Sequence, residues 1–253
     1  MLPSTNRACY VAIALVLVLS PGLAMSSGDA RELPEKFRHG RLALLSLSVG
    51  HPNDGYQVRA KKLVSTRQLH VRGSSRERAY AHPALVLMLW RSARDVAKAA
   101  PGSVLFVGDL SRREGGPVSG HRSHQSGRDA DVGFYIKDLH GKSVVSHEYV
   151  AFDGDGASKD GSPFVFDDER NWLLVESWAR DRRAGLSHIF VSDPLRDRLL
   201  RFARSKPRHA RYVLEALALL KQPEHGEPHD DHFHVRISCP KEEAEICRTE
   251  SKL

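Results

Sequence analysis

The sequence predicts one α+β domain: a small, mainly antiparallel central sheet that carries a metal site, flanked by helices. Three observations predict it. Short apolar runs of strand length, near residues 68–72, 104–107, 130–136, 189–191 and 232–237, are interspersed with stretches of helical apolar spacing. The two element types are mixed along the chain, and 253 residues suffice for one sizeable core. Two tracts dense in histidine and aspartate lie about a hundred residues apart, so only a folded domain can bring them together.

Residues 1–24 read as a secretory signal peptide. Arg7 is the sole charged side chain before Asp29, an apolar run follows from Cys9 to Leu19, Pro21 and Gly22 break it, and Gly22 and Ala24 suit cleavage after Ala24, with cleavage after Ser26 the alternative. The run is too short to span a bilayer comfortably, so no stable membrane insertion is expected. The folded domain then occupies residues 25–253, and export places it in an oxidising compartment. Cys9 leaves with the leader. Cys239 and Cys247 remain as an even pair and are expected to form a disulfide. A loop this small stabilises by roughly 2–3 kcal/mol in the chain-entropy account.

The elements follow in order. An apolar run over 41–49 ends at the turn signal His51-Pro52-Asn53-Asp54-Gly55. Leu69 and Val71 share one face of a short strand. Pro83 opens a helix whose Leu85, Leu89, Ala93 and Val96 repeat at helical spacing, and Pro101-Gly102 ends it. Residues 104–107 form a buried strand, and 130–136 alternate around Asp131 as another. Residues 137–163 are rich in Gly, Asp and Lys and read as a long surface excursion. Its Asp153, Asp155 and Asp160 lack the ligand order and terminal Glu of an EF-hand loop. Asp167 or Asp168 caps a helix running to about Arg182, with Trp172, Val175, Trp178 and Ala179 as its apolar stripe. A strand over 189–191 precedes a helix that opens with Asp193 as N-cap and Pro194. A further helix carries Tyr212, Val213, Ala216, Leu217 and Leu220, and 232–237 alternate as a strand.

The first tract contains His121, His124, Asp129 and Asp131; the second contains His229, Asp230, Asp231, His232 and His234. Imidazole and carboxylate in this mixture are ligands for a divalent transition metal, most often zinc. A strand puts residues i and i+2 on one face, so His232 and His234 point the same way. One can bind metal while the other faces the attacking water. His124 and Asp131 stand seven apart with Gly127 between them, which suits a loop ligand turning back onto a strand ligand. Hydrolysis further needs a base within hydrogen-bond reach of the water and partners that fix each ligand histidine's tautomer, for which Asp129, Asp230 and Asp231 are candidates.

Other chemistries find less support. Ser238-x-x-Lys241 lacks the Ser-Asp-Asn and Lys-Thr-Gly partners of penicillin-binding enzymes, and no Gly-x-Ser-x-Gly elbow occurs. The net charge of +7 fits an anionic partner. The basic residues are scattered without interleaved aromatics, so nucleic acid is not expected.

The stretches Val107-Gly-Asp-Leu-Ser111, Gly120-His-Arg-Ser-His-Gln-Ser-Gly-Arg-Asp-Ala-Asp-Val132 and Pro228-His-Asp-Asp-His-Phe-His-Val-Arg-Ile237 resemble the penicillin-insensitive murein endopeptidases, a branch of the zinc peptidases that include D-Ala-D-Ala carboxypeptidases. The resemblance runs from about Ser46 to Cys247. It implies that His124, Asp131 and His234 bind Zn2+, that His232 is the base or steadies the attacked carbonyl, and that His121 and His229 are further active-site histidines. It implies a periplasmic enzyme that hydrolyses D-alanyl–diaminopimelyl cross-links of peptidoglycan. The alternatives are a D-Ala-D-Ala carboxypeptidase of the same group and a non-catalytic wall-binding metal protein. Oligomeric state is not expected to follow from the sequence.

Overall fold

The computed structural model describes residues 33–224 and 227–250. The expected leader, residues 1–24 with Cys9, lies outside the described residues. In chain order the main elements are β1 (Leu47–His51), β2 (Asp54–Val58), β3 (Leu69–Val71), α1 (Pro83–Ala99), β4 (Leu105–Val107) and β5 (Asp129–Gly133). Then come β6 (Ile136–Asp138), β7 (Ser143–Val144), β8 (Phe164–Phe166), α2 (Asp168–Arg180) and β9 (Leu186–Phe190). The last are α3 (Asp193–Arg204), α4 (Val213–Leu219), β10 (Leu220–Lys221) and β11 (His232–Ile237).

The main sheet has six strands in the order β10-β9-β11-β5-β4-β3. Its central pairings, β9 with β11, β11 with β5 and β5 with β4, are antiparallel, and both outer pairings are parallel. The fold is thus α+β, as its interspersed strands and helices imply. Among the described residues no helix is long and apolar enough to cross a membrane.

Helices α1 and α2 start where their sequence dictates. The His82 side chain accepts a hydrogen bond from the Ala84 N–H, and Pro83 occupies the first turn, where its missing N–H costs nothing. Leu85, Leu89, Ala93 and Val96 are all buried. Asp167 caps α2 by accepting from the Arg170 N–H, and Trp172, Val175 and Trp178 face the core. Trp178 meets Phe233 of β11 edge-on at 5.6 Å. Burying side chains of this size contributes about 2–3 kcal/mol each.

Four sequence expectations shift. The strand expected over 130–136 ends at Gly133, and Ile136 begins a separate three-stranded sheet ordered β8-β6-β7. The break has a cause: the Asn171 side chain takes both backbone groups of Tyr135, accepting from its N–H at 2.9 Å and donating to its carbonyl at 2.8 Å. The excursion over 137–163 is not confined to the surface, because Phe152 is core and its N–H bonds the Asp230 carbonyl. The N-cap of α3 is Ser192, one residue before Asp193. Tyr212 belongs to a 3-10 turn ahead of α4, and Leu217 is exposed because only Val213 and Ala216 of that helix face inward.

Candidate metal centre

Strands β5 and β11 form a ribbon with two chemically different faces. Their register sets His234 opposite Asp131, Arg236 opposite Asp129 and Phe233 opposite Val132. Directly opposed residues share a face, and alternation sends neighbours to the other. Phe233, Val235, Ala130 and Val132 therefore go to the core, all fully buried. His232, His234, Arg236, Asp129 and Asp131 line the polar face.

The long connection between β4 and β5 brings the first tract over this face. It reverses at Gly127, whose φ of 75° favours glycine and whose Cβ would lie 1.9 Å from the Gln57 Oε1. His124 has φ 67° and His229 has φ 56°; with Arg59 they are the non-glycine residues of positive φ among those described. Such backbone costs of order 1 kcal/mol or more and persists where surrounding contacts enforce it.

Four imidazoles converge on the Asp131 carboxylate, and a fifth stands beside two of them. The His124 Nε2, His232 Nε2 and His234 Nδ1 lie 3.2, 3.3 and 3.4 Å from Asp131 Oδ1, and the His121 Nδ1 lies 3.5 Å from Oδ2. The His229 ring stands 5.0 Å from that of His232 and 5.3 Å from that of His234.

The outward nitrogen of every ring is occupied. His124 Nδ1 donates to the Leu110 carbonyl at 2.7 Å, and His229 Nδ1 to the Glu227 carbonyl at 2.8 Å. His232 Nδ1 faces Asp231 at 2.6 Å, His234 Nε2 faces Asp129 at 2.8 Å, and His121 Nε2 faces Asp109 at 2.9 Å. A neutral imidazole has one donor and one acceptor, so an outward N–H leaves an inward lone pair. Tautomers follow here from the hydrogen-bond partners. These outward partners are the type that orient metal-binding histidines.

The buried His124 Nε2 and Asp131 Oδ1 have no hydrogen-bond partner although they face each other. Two lone-pair atoms enclosed at this distance repel unless a proton or a metal cation lies between them. The donors of His121, His124 and Asp131 all lie within 4.8 Å of one another and could hold a metal ion. His234 Nδ1 lies beside that group, 3.4 Å from the same Asp131 oxygen. The donor set of imidazole nitrogen and carboxylate oxygen fits a divalent transition metal.

Charge in the site is strongly coupled. Burial opposes ionisation of Asp131, but the adjacent His124 and His232 outweigh it and hold the carboxyl well below the usual range. Burial likewise disfavours a charged Asp129, and Arg236, with Nε at 2.6 Å, and His234 override it. His232 is pushed up to about 10: its burial is outweighed by Asp131 and Asp231 on either side. His229 goes the other way, to about 4, through burial and the neighbouring His234 and His232.

The five histidines and Asp131 named from the sequence thus lie in one site. Asp129 and Asp231 serve as histidine partners, as expected. Asp230 does not; it pairs with Lys159 at 2.6 Å on the rim. Cys239 and Cys247 form a disulfide just beyond β11. Two residues escaped sequence reasoning. Asp109 orients His121 and also meets Arg78 at 2.9 Å; burial would raise it, but His121, Ser75 and Arg78 bring it to about 2. Its position in Val107-Gly-Asp-Leu-Ser111 was the available signal. Tyr149 comes from the presumed surface excursion and stacks on His232, with centroids 4.7 Å apart and an interplanar angle of 26°. Gly108 makes room for it, since a Cβ there would lie 1.7 Å from the phenol oxygen. Nothing in the periodicity around residue 149 marks it.

Comparison with known proteins bears on this site. The family profile described as penicillin-insensitive murein endopeptidase matches residues 48–253, which include every site residue above. A Haemophilus influenzae protein of that name is 30% identical over 183 residues, covering 70% of this chain but only 57% of its own length. A protein of the same name from Escherichia coli O1:K1 / APEC is 26% identical over 239 residues, covering 92% of this chain and 80% of its own. A profile match over most of the chain, including both histidine tracts, leads to one conclusion: the chain belongs to the penicillin-insensitive murein endopeptidase family.

Proposed function

We propose that this chain is a zinc-dependent endopeptidase that hydrolyses D-alanyl–diaminopimelyl cross-links of peptidoglycan in the periplasm. The observation that carries the reading is the set of inward lone pairs around Asp131, each ring secured from outside. His124 Nε2, Asp131 Oδ1 and His234 Nδ1 would hold the ion. Once bound there, a divalent ion would lower the pKa of water towards 7 and polarise the scissile carbonyl.

The remaining work falls to the chain's own residues. An ion held at Asp131 would offset the carboxylate charge that pushes His232 up, leaving its Nε2 to take the proton of the attacking water and return it to the departing amine. Asp231 holds its Nδ1–H at 2.6 Å, fixing the tautomer this requires and favouring the imidazolium formed. Tyr149 fixes the plane of that ring by stacking. His229, kept neutral by its surroundings, presents an acceptor beside His232. His121, steered by Asp109, lines the opposite oxygen of Asp131.

The reading is tested by incubating purified, cross-linked sacculi with the zinc-supplied protein. Monomeric muropeptides should appear at the expense of dimers. Persistence of dimers overturns it, and release of free D-alanine alone would mark a carboxypeptidase instead. Metal content of His234→Ala and His121→Ala separates the ligand sets: the first should lose the ion and the second retain it.

A further inference from the structure

The carboxylates of Asp109, Asp129, Asp131, Asp230 and Asp231 surround the candidate site. An anionic substrate approaching them meets repulsion unless a cation is free to receive it. Most nearby cations are engaged. Arg78 lies 2.9 Å from Asp109, Arg236 lies 2.6 Å from Asp129, and Lys159 lies 2.6 Å from Asp230.

Arg72 differs. It follows β3, and its N–H donates to the Val107 carbonyl at 2.8 Å, which fixes its backbone beside Gly108. Its guanidinium carbon lies 5.5 Å from the centre of the Tyr149 ring, and that ring stacks on His232. The Tyr149 ring is itself braced edge-on by Phe106 at 5.5 Å. Among the described residues Arg72 makes no ion pair. One aromatic ring therefore contacts both an unpaired guanidinium and the proposed base. Lying over a ring reduces the freedom that Arg72 loses on binding, and its planar fork matches a carboxylate in bidentate fashion.

The proposed substrate carries a suitable partner. A diaminopimelyl residue cross-linked through one amino group keeps a free carboxylate on the carbon that bears the scissile nitrogen. We propose that Arg72, held over Tyr149, is a specificity residue that binds this carboxylate and so selects cross-links with an ionised group beside the scissile bond. The proposal rests on the endopeptidase reading above.

The experiment compares two cross-linked muropeptide dimers, one with that carboxylate free and one with it converted to a primary amide. The parent protein should prefer the free form in kcat/KM by about tenfold or more, the scale of a charge-assisted hydrogen bond. Arg72→Met, which keeps an apolar stem against Tyr149, should bring the ratio close to one, with the loss on the free form residing mainly in KM. Arg72→Gln provides a second reading should the first fail to fold. A merely structural role would slow both dimers alike and leave the ratio intact, which overturns the proposal. A parent that cleaves both equally also overturns it while leaving the endopeptidase reading standing. A parent that cleaves neither dimer, with zinc supplied, sinks the endopeptidase reading and this proposal with it.

Discussion

Asp131 is the point on which the site turns. It is buried, it faces four imidazoles within 3.5 Å, and one of its oxygens has no hydrogen-bond donor. Asp129, two residues earlier on the same face, touches the centre only through others: His234 Nε2 and the Arg236 Nε share its Oδ1. Asp129→Asn keeps the size of the side chain but removes the charge that fixes His234. The variant should bind divalent metal about 10–100-fold more weakly, read by chelator competition on the folded protein. At this scale the sequence was highly legible for residue types, because alternation alone sends His232 and His234 to one face. It was silent on which histidine takes which partner. Asp230 and Asp231 are adjacent and chemically identical, yet one reaches His232 and the other Lys159.

At the scale of elements, β9 extends the ribbon beyond β11. Its His188 stacks on Phe190, with centroids 5.0 Å apart. Burial, followed by the charges of Lys221 and Arg236, pushes His188 down to about 4 from the ordinary 6.5. The unfolded chain therefore binds more protons between pH 4 and 6.5, and folding stability rises with pH across that window. The contribution is complete above about pH 6.5 and is lost as pH falls towards 4. His188→Phe keeps the ring without the titration. Its stability, from urea unfolding at pH 7.5 and 4.5, should fall less on acidification than the parent's by about 1 kcal/mol, after allowing for the solvent contact of this half-buried ring. The sequence foretold the four helices and five of the six strands of the main sheet from periodicity, but not β2, β6, β7, β8 or the short β10. It missed the end of β5 because that end is set by the Asn171 side chain, a contact 36 residues distant. It missed Tyr149 for a similar reason, since a residue held by Gly108, Phe106 and His232 carries no local signature.

The whole molecule is closed by its last described segment. Glu243, buried beside the disulfide, accepts from the Ser48 N–H at 2.8 Å and meets the helix-capping His82 at 3.3 Å. The Gly50 N–H bonds the Ile246 carbonyl at 2.8 Å, and the Arg248 N–H bonds the Gly50 carbonyl at 2.9 Å. The fully buried Arg128 donates to the Arg248 carbonyl at 2.5 Å, one residue before Asp129. Replacing Cys239 and Cys247 together by serine should cost about 2.5 kcal/mol of stability in the chain-entropy account, measurable by denaturant unfolding against the oxidised parent. These long-range stitches also impose a timetable on biosynthesis. A chain emerging from its N-terminus displays His121, His124 and Asp131 long before His232 and His234 exist to meet them. The hairpin of β1 and β2 waits longer still for Glu243 and Ile246. A nascent or truncated chain that lacks β11 therefore carries only half of this cluster.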